Sequence, residues 1–507
     1  MENIKKLKCI LLGFCSVLIF QSCELKSEVY DSINPNIFPV TEQDAKALVT
    51  ANAYGAFRSD GYGGIFNVAS GIMILNDALS DYGVCSWGWD HATYAQWTGA
   101  SATQWPLVDH WGWSNWISKM TLTIERIKDI SINEELKNRY IAELRMGRGW
   151  MAYLLYDYYG PIIIADLETL QNPLQNKILP RLSEEDMKTY IETELTEAAS
   201  VLPYNYQKGE NDYGRFTKGL ANTILLKFYM LTKQFDKAES MGRELMKPEY
   251  GYSLVPEYAD IFTLANEKNA EIIWAVQCKT GFQMHKWEPH VLPADYDFNP
   301  LLDGLAKWNG YKMLWSYINT YDQADKRLST IITEYTSKNG TLHNELTDSN
   351  DPSTQLYLGA VPLKYEVDPA TTGGEDSQID YIIYRYADVL TLTAEAITRN
   401  KGVTQEAVDM LNQIRERALP GKGYNMNDFA SADALLKAIL NERGWELYYE
   451  GCRRQDLIRY GLFVQAIKDK AIGRGALTNV NESYVRFPIP QSYIDQGKGI
   501  VKQNEGY

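Results

Sequence analysis

Apolar residues recur at steps of three and four through most of the chain, the spacing that turns one face of an α-helix toward a core. The pattern predicts helices over 41–58, 133–158, 183–202, 217–231, 235–246, 386–398, 404–417 and 432–449. End signals agree with it. Thr41 and Ser183 stand as N-caps ahead of acidic first turns, where carboxylates meet the positive end of the helix dipole. Tyr159-Gly160-Pro161 and Pro203 close two of the helices. In the helix over 133–158, Tyr140, Leu144, Met151, Leu154 and Leu155 share one side, while Gly147 and Gly149 leave room for a neighbour. From Trp113, the series Trp116, Ile117, Met120, Ile124 and Ile127 marks a further amphipathic face, so those two tryptophans are expected in the core.

The helices over 217–231 and 235–246 are separated only by Thr232-Lys233-Gln234. They carry LLKFYMLTKQFDKAESMGRELM, the small-and-large alternation of a tetratricopeptide-like hairpin, a unit that must stack on neighbours to cover its apolar face. The predicted fold class is mainly α.

Two spans break the helical rhythm, about 76–110 and 280–380, and both are aromatic. The stretch CSWGWDHATYAQWTGASATQWPLVDHWGWSNW (85–116) holds seven of the thirteen tryptophans. Its first part interleaves Trp87, Trp89, Trp97 and Trp105 with Gly, Ser, Thr and Pro, which reads as irregular loop. Tryptophans on a loop form either a local mini-core or a platform for a ligand with flat apolar faces, and composition leaves both open. The second span adds Phe282, His285, Trp287, His290, Tyr296, Trp308 and Tyr311; so long a loop in a compact helical protein reads as a functional insertion.

The 507 residues, 45% hydrophobic, can bury a large core. A net charge of -15 and a pI near 5.0 argue against nucleic acid, which needs a basic patch. Thirty-five tyrosines and thirteen tryptophans suit a carbohydrate or peptide ligand. Lys5, Lys6 and Lys8 precede an apolar run from Ile10 to Phe20, shorter than the about 20 residues of a spanning helix. That run stops at Gln21-Ser22-Cys23, as at a bacterial lipoprotein cleavage site, so 1–22 is expected to be removed, Cys23 lipidated, and 23–40 to act as tether. Cys85, Cys278 and Cys452 remain; no CxxC pair signals zinc or a disulfide framework, although one bridge among the three stays open. The five histidines lack metal-ligand spacing, so no metal or other cofactor is expected, and His285 and His290 read as loop or ligand-contact residues.

Arg385, Glu395, Glu442, Arg443, Glu446, Glu450, Arg453 and Asp456 alternate in sign along helices that are also buried on one face, which predicts ion-pair networks between helix pairs. Nothing in the spacing of 65 acids selects the two flanking carboxyls of a glycosidase, and no enzyme is expected. Other motifs carry a resemblance. YRYADVLTLTAEAITRN (384–400), EAVDMLNQIRERA (406–418), AILNERGWELYYEGCRRQDLIRYGLF (438–463), FPIPQSYID and the terminal QNEGY, with YIAELRMGRGWMAYLLYDYYGPIII (140–164) and Asp325-Lys326-Arg327 upstream, resemble the SusD/RagB family of Bacteroidetes outer-membrane lipoproteins.

The resemblance implies a single domain over 41–507, of four tetratricopeptide-like helix pairs packed against a loop-rich ligand-binding region, that binds without catalysis, captures oligosaccharides at the cell surface and passes them to a SusC-like TonB-dependent transporter. It also implies that ligand contacts come from the two aromatic spans: Trp87, Trp89, Trp97, Trp287, Tyr296 and Trp308, with Asp81 or Asn76 as a hydroxyl partner. A RagB-like binder of peptides is the alternative; flat Trp faces with few charges favour sugar rings, whereas peptide sites show strand-pairing edges and charged clamps. If Cys23 is the anchor, Cys23→Ala should leave a folded protein in the soluble fraction; recovery with membranes in cells lacking the transporter would show the anchor to be elsewhere.

Overall fold

A computed structural model of the chain describes residues 38–60, 64–296, 300–371, 373–471 and 480–507. The expected signal segment, Cys23 and most of the tether lie outside the described residues. The fold is mainly α. Its principal helices are α1 (Glu42–Val49), α2 (Ile72–Ala78), α3 (Asn115–Lys128), α4 (Glu134–Tyr159), α5 (Glu184–Val201), α6 (Lys218–Leu231), α7 (Phe235–Leu245), α8 (Tyr386–Lys401), α9 (Gln405–Ala418), α10 (Ala432–Glu446), α11 (Arg453–Arg459) and α12 (Phe463–Lys470). Helices predicted from periodicity therefore end within a few residues of the observed bounds. The exception is the first, which passes into a π turn over Thr50–Tyr54.

Side-chain caps set many starts. Thr41 and Asp44 form a reciprocal capping box, and Ser183, Thr217, Thr404 and Ser431 each accept an amide hydrogen three residues on. From α3 to α10 each helix packs on the next in sequence. Small residues allow the closest approaches: a β-carbon at Gly147 would stand 2.7 Å from the Met120 sulfur on α3, and one at Gly149 2.9 Å from Leu195 on α5. Trp113 and Trp116 lie half-buried at the edge of this stack rather than inside it.

Three small antiparallel sheets complete the fold. β2 (Ile272–Val276) pairs with β7 (Tyr381–Arg385), which runs straight into α8. β3 (Tyr311–Leu314) lies between β1 (Gly83–Cys85) and β6 (Gly359–Ala360), in register Gly83 to Met313 and Cys85 to Tyr311. β4 (Tyr335–Thr336) and β5 (Leu342–His343) make a separate hairpin. The β1–β3–β6 sheet stitches the second loop-rich span to the first. Cys85, Cys278 and Cys452 are all free thiols.

The predicted ion pairs form, and they form in the core. Arg385 reaches Glu271, Glu446 and Glu450 at 2.7, 2.5 and 2.7 Å. Arg327 takes Asp325, Glu442 and Glu446; Arg417 takes Glu271 and Glu446; Lys364 takes Glu450, and Arg415 takes Glu442. Five cations thus face five carboxylates. Burial alone would raise the Glu446 carboxyl, but the fields of Arg417, Arg385 and Arg327 outweigh it and hold it at about 2.

A depressed carboxyl pKa stabilises the fold above the unfolded value and loses that effect as pH falls. Glu446→Gln should therefore cost about 3–5 kcal/mol in urea unfolding at neutral pH, as for a broken buried pair. The gap to wild type should stay constant above pH 4.5 and close as pH falls toward 2.

Candidate functional site

The pairing of β1 with β3 brings the two tryptophan-bearing loops together at the strand ends. The Ser86 amide donates to the Gly310 carbonyl at 2.9 Å, and the Trp87 Nε1–H donates to the Trp308 carbonyl at 3.0 Å. Glycine at 310 is required there, since a β-carbon would fall 2.1 Å from Trp87 Cζ2. Behind this junction a short helix, Trp287–Val291, supplies Trp287 and His290, and its backbone is tied to the 308–310 segment.

The result is one continuous aromatic cluster. Trp87 stands edge-on to Trp89 at 5.5 Å, to His290 at 5.3 Å and to Tyr311 at 5.3 Å. Trp308 meets His290 edge-on at 4.7 Å, Trp105 meets Trp89 at 6.0 Å, and Trp287 stacks on Tyr311 at 6.1 Å. Depth grades across the cluster. Trp287 and Trp89 are buried, Trp87 and Trp308 half-buried, and Trp105 is 39% exposed. The buried rings brace the outer ones, because edge-to-face aromatic pairs carry about 0.5–1.5 kcal/mol beyond area burial.

Beside the cluster lies a cleft of about 450 Å³, lined by Ser86, Gly88, Asn309, Thr354 and Gln355 among others, with Asp90 and Lys312 its charged members. Lys312 is buried and donates to the Val291 carbonyl, and burial lowers its pKa to about 7. Burial likewise lowers His290 and His285 to about 4, and raises the Cys85 thiol to about 12. At neutral pH the imidazoles are uncharged and the thiol is protonated. The arrangement offers flat ring faces with hydroxyl and amide partners.

Several expected site residues fall elsewhere. Trp97, 1% exposed, packs 4.5 Å from Phe487, and its indole N–H is taken by the Tyr507 hydroxyl, so the QNEGY tail claims it for the core. Trp287 is also 1% exposed and supports the platform from beneath without presenting a face. Asn76 is buried and donates to the Gly451 carbonyl. Both carboxylate oxygens of Asp81 take Arg453, on the wall of a different cleft. Tyr296 packs edge-on against Tyr335, in a group with His343 and Asp295. His285 and His290 are buried, not ligand-facing loop residues. Trp105, absent from the expected set, is the most exposed ring of the cluster; its place in the same Gly/Ser/Thr-rich loop was the available signal.

The sequence profile of the SusD family matches residues 228–507, more than half the chain. The chain belongs to the SusD family. SusD-like protein P25 of Formosa agariphila is 25% identical over 415 residues, 74% of this chain and 75% of that protein. The starch-binding protein SusD of Bacteroides thetaiotaomicron is 22% identical over 487 residues, 83% of each. Among solved structures, surface glycan-binding protein A from Bacteroides thetaiotaomicron in complex with laminarihexaose superposes with a TM-score of 0.73 at 18% identity, over 92% of this chain and all of that one. A laminarin binding SusD-like protein does so with a TM-score of 0.71 at 22% identity, over 92% of this chain and 100% of that one. The likeness to these structures is one of fold. The profile match takes in the second aromatic span and stops short of the first, so Trp87, Trp89 and Trp105 lie outside it.

Depth separates the roles of the rings. Trp97→Ala and Trp287→Ala should each cost about 3–5 kcal/mol in urea unfolding, as large core truncations do, while Trp105→Ala should cost less than about 1 kcal/mol.

Proposed function

We propose that this SusD-family protein is a non-enzymatic surface lipoprotein that captures oligosaccharides on the Trp87–Trp308–Trp105 face and delivers them to a SusC-like TonB-dependent transporter. The observation that carries the proposal is the meeting of two loops some two hundred residues apart in one braced aromatic platform beside a cleft of hydroxyl and amide groups. The C–H faces of pyranose rings suit such platforms. Relatives named for binding starch, laminarin or laminarihexaose support the same reading. A peptide ligand has less support, since among the described residues the cleft lining carries Asp90 and Lys312 as its only charged side chains.

Stacking one sugar on one indole removes on the order of 60–80 Å² of apolar surface, which contributes roughly 1.5–2 kcal/mol. Two or three stacks set against an association cost of at least about 4 kcal/mol give affinities of roughly micromolar to millimolar. Chain length therefore matters more than any single sugar.

Calorimetry with laminarihexaose and maltohexaose, followed by an array of neutral oligosaccharides beside a peptide pool, tests the ligand class. A saturable oligosaccharide signal, weakened about tenfold or more by Trp87→Ala or Trp308→Ala without loss of fold, is expected. Binding confined to peptides, or unaltered in both variants, would overturn the reading. Delivery predicts that the protein co-purifies from native outer membrane with a TonB-dependent barrel, in a complex weakened by salt; recovery with soluble partners only would refute it.

A further inference from the structure

The short helix Trp287–Val291 is tied to the outer platform through its backbone. The Trp308 amide donates to the Pro289 carbonyl at 2.7 Å, the Gly310 amide to the His290 carbonyl at 2.8 Å, and the Asn309 amide to the Leu292 carbonyl at 2.9 Å. Trp308 and the glycine that seats Trp87 are therefore coupled to any displacement of this helix. Toward the core, Trp287 donates its indole N–H to the Leu363 carbonyl at 2.6 Å and stacks on Tyr311.

The helix also carries Glu288, which is 2% exposed, and neither of its carboxyl oxygens has a hydrogen-bond donor among the described residues. Its own amide and the Ser377 hydroxyl favour the charged form without completing a bond to it. The charged groups around it do not neutralise it. Asp368, from the loop before β7, is a second acid and opposes ionisation. Lys286 gives its ammonium to Glu375 at 2.5 Å, Lys312 on β3 gives its to the Val291 carbonyl at 3.1 Å, and Lys364 gives its to Glu450 at 2.6 Å. His285 takes the Trp287 amide on Nδ1, His290 gives its Nδ1–H to the Lys286 carbonyl, and burial keeps both imidazoles uncharged at neutral pH. The Tyr311, Tyr365, Tyr381 and Tyr449 phenols are pushed above their usual range by burial and stay protonated. A carboxyl enclosed in this way is stable as the neutral acid, because a carboxylate there would bear its desolvation cost with neither donor nor cation in return. Burial accordingly raises Glu288 to about 8.

We propose that Glu288 is a proton-held latch beneath the platform: as the acid it leaves the helix docked, and its ionisation draws the carboxylate toward water, shifts the helix and displaces Trp308. Ligand capture should then be lost in alkaline solution, a consequence that rests on the glycan reading, whereas the latch itself does not. The unfolded chain loses this proton near 4.5 and the folded chain keeps it to about 8, so the residue costs stability increasingly between those values and by a constant amount above them.

Glu288→Gln keeps the shape of the acid and cannot ionise; Glu288→Met removes the same charge and carries the test if the amide variant fails to fold. Without ligand, acrylamide quenching of tryptophan fluorescence should rise in wild type with a midpoint near pH 8 and stay flat in the variants. The variants should also melt higher than wild type, by a gap that opens above pH 4.5 and levels off above pH 8. With laminarihexaose, wild type should bind about tenfold more weakly at pH 9 than at pH 6.5, since roughly one molecule in ten then keeps the proton, while the variants hold their affinity to within about twofold. Lys312, which burial holds at about 7, titrates in wild type and variants alike, so the difference between them isolates Glu288. Flat quenching in wild type, the same pH profile in the variants, or laminarihexaose affinity in wild type that does not change with pH would overturn the proposal. A quenching transition confined to wild type, with no laminarihexaose binding at any pH, would sustain the latch and count against the glycan reading.

Discussion

Arg385 has no exposed surface, and its guanidinium meets three carboxylates: Glu271 just before β2, Glu446 at the end of α10 and Glu450 in the turn after it. It stands at the last residue of β7, immediately before α8, where the sheet that supports the loop region joins the helical stack. Removing a guanidinium and its partners from water costs several kcal/mol per ion, and that cost is recovered only when every partner is in place. The network is therefore an all-or-none condition on how strands and helices dock. Arg327, Arg417 and Lys364 extend the same condition to the 325–330 turn, to α9 and to the 360s, so the loop-rich half is held to the helices by charge as well as by apolar contact.

With that junction set, the position of the aromatic platform follows from three short strands. β1 is three residues long and β6 two, yet their pairing with β3 fixes the register that places Trp87 over Gly310. A one-residue slip would turn alternate side chains to the opposite face and separate Trp87 from Trp308. The platform is rigid because its inner rings, Trp89, Trp287 and Tyr311, belong to the main hydrophobic core. The outer rings, Trp87 and Trp308, are thereby held against partners that are themselves fixed.

The contrast between the two buried ionic chains bears on how charge is used in this fold. Around Glu446, acids and bases are matched and hold the architecture together. Along α8 and α11, Lys227, Arg443, Arg459 and Arg399 outnumber Asp388, Asp456 and Glu395. The two chains share α10 alone, and a pairing rule read along that helix does not distinguish them.

The sequence by itself determined the helices, because a 3.6-residue apolar period and local caps act over a few residues and need no distant partner. Predicted bounds such as 217–231 and 404–417 match α6 and α9 to within one residue. The close approach at Gly147 and Gly149 and the ion-pairing of Arg385, Glu446 and Asp456 were legible for the same reason: small residues and paired charges on a buried face admit few other uses. Which loop tryptophan would be core and which surface was not legible. Trp97 and Trp105 lie in the same loop, in similar Gly/Ser/Thr-rich surroundings, yet one is buried and the other exposed. Trp97 is decided by Tyr507, 410 positions away, and Asp81 by Arg453, 372 positions away. Burial of a ring or a carboxylate is a property of what lands on it, and only the tertiary structure brings those partners together.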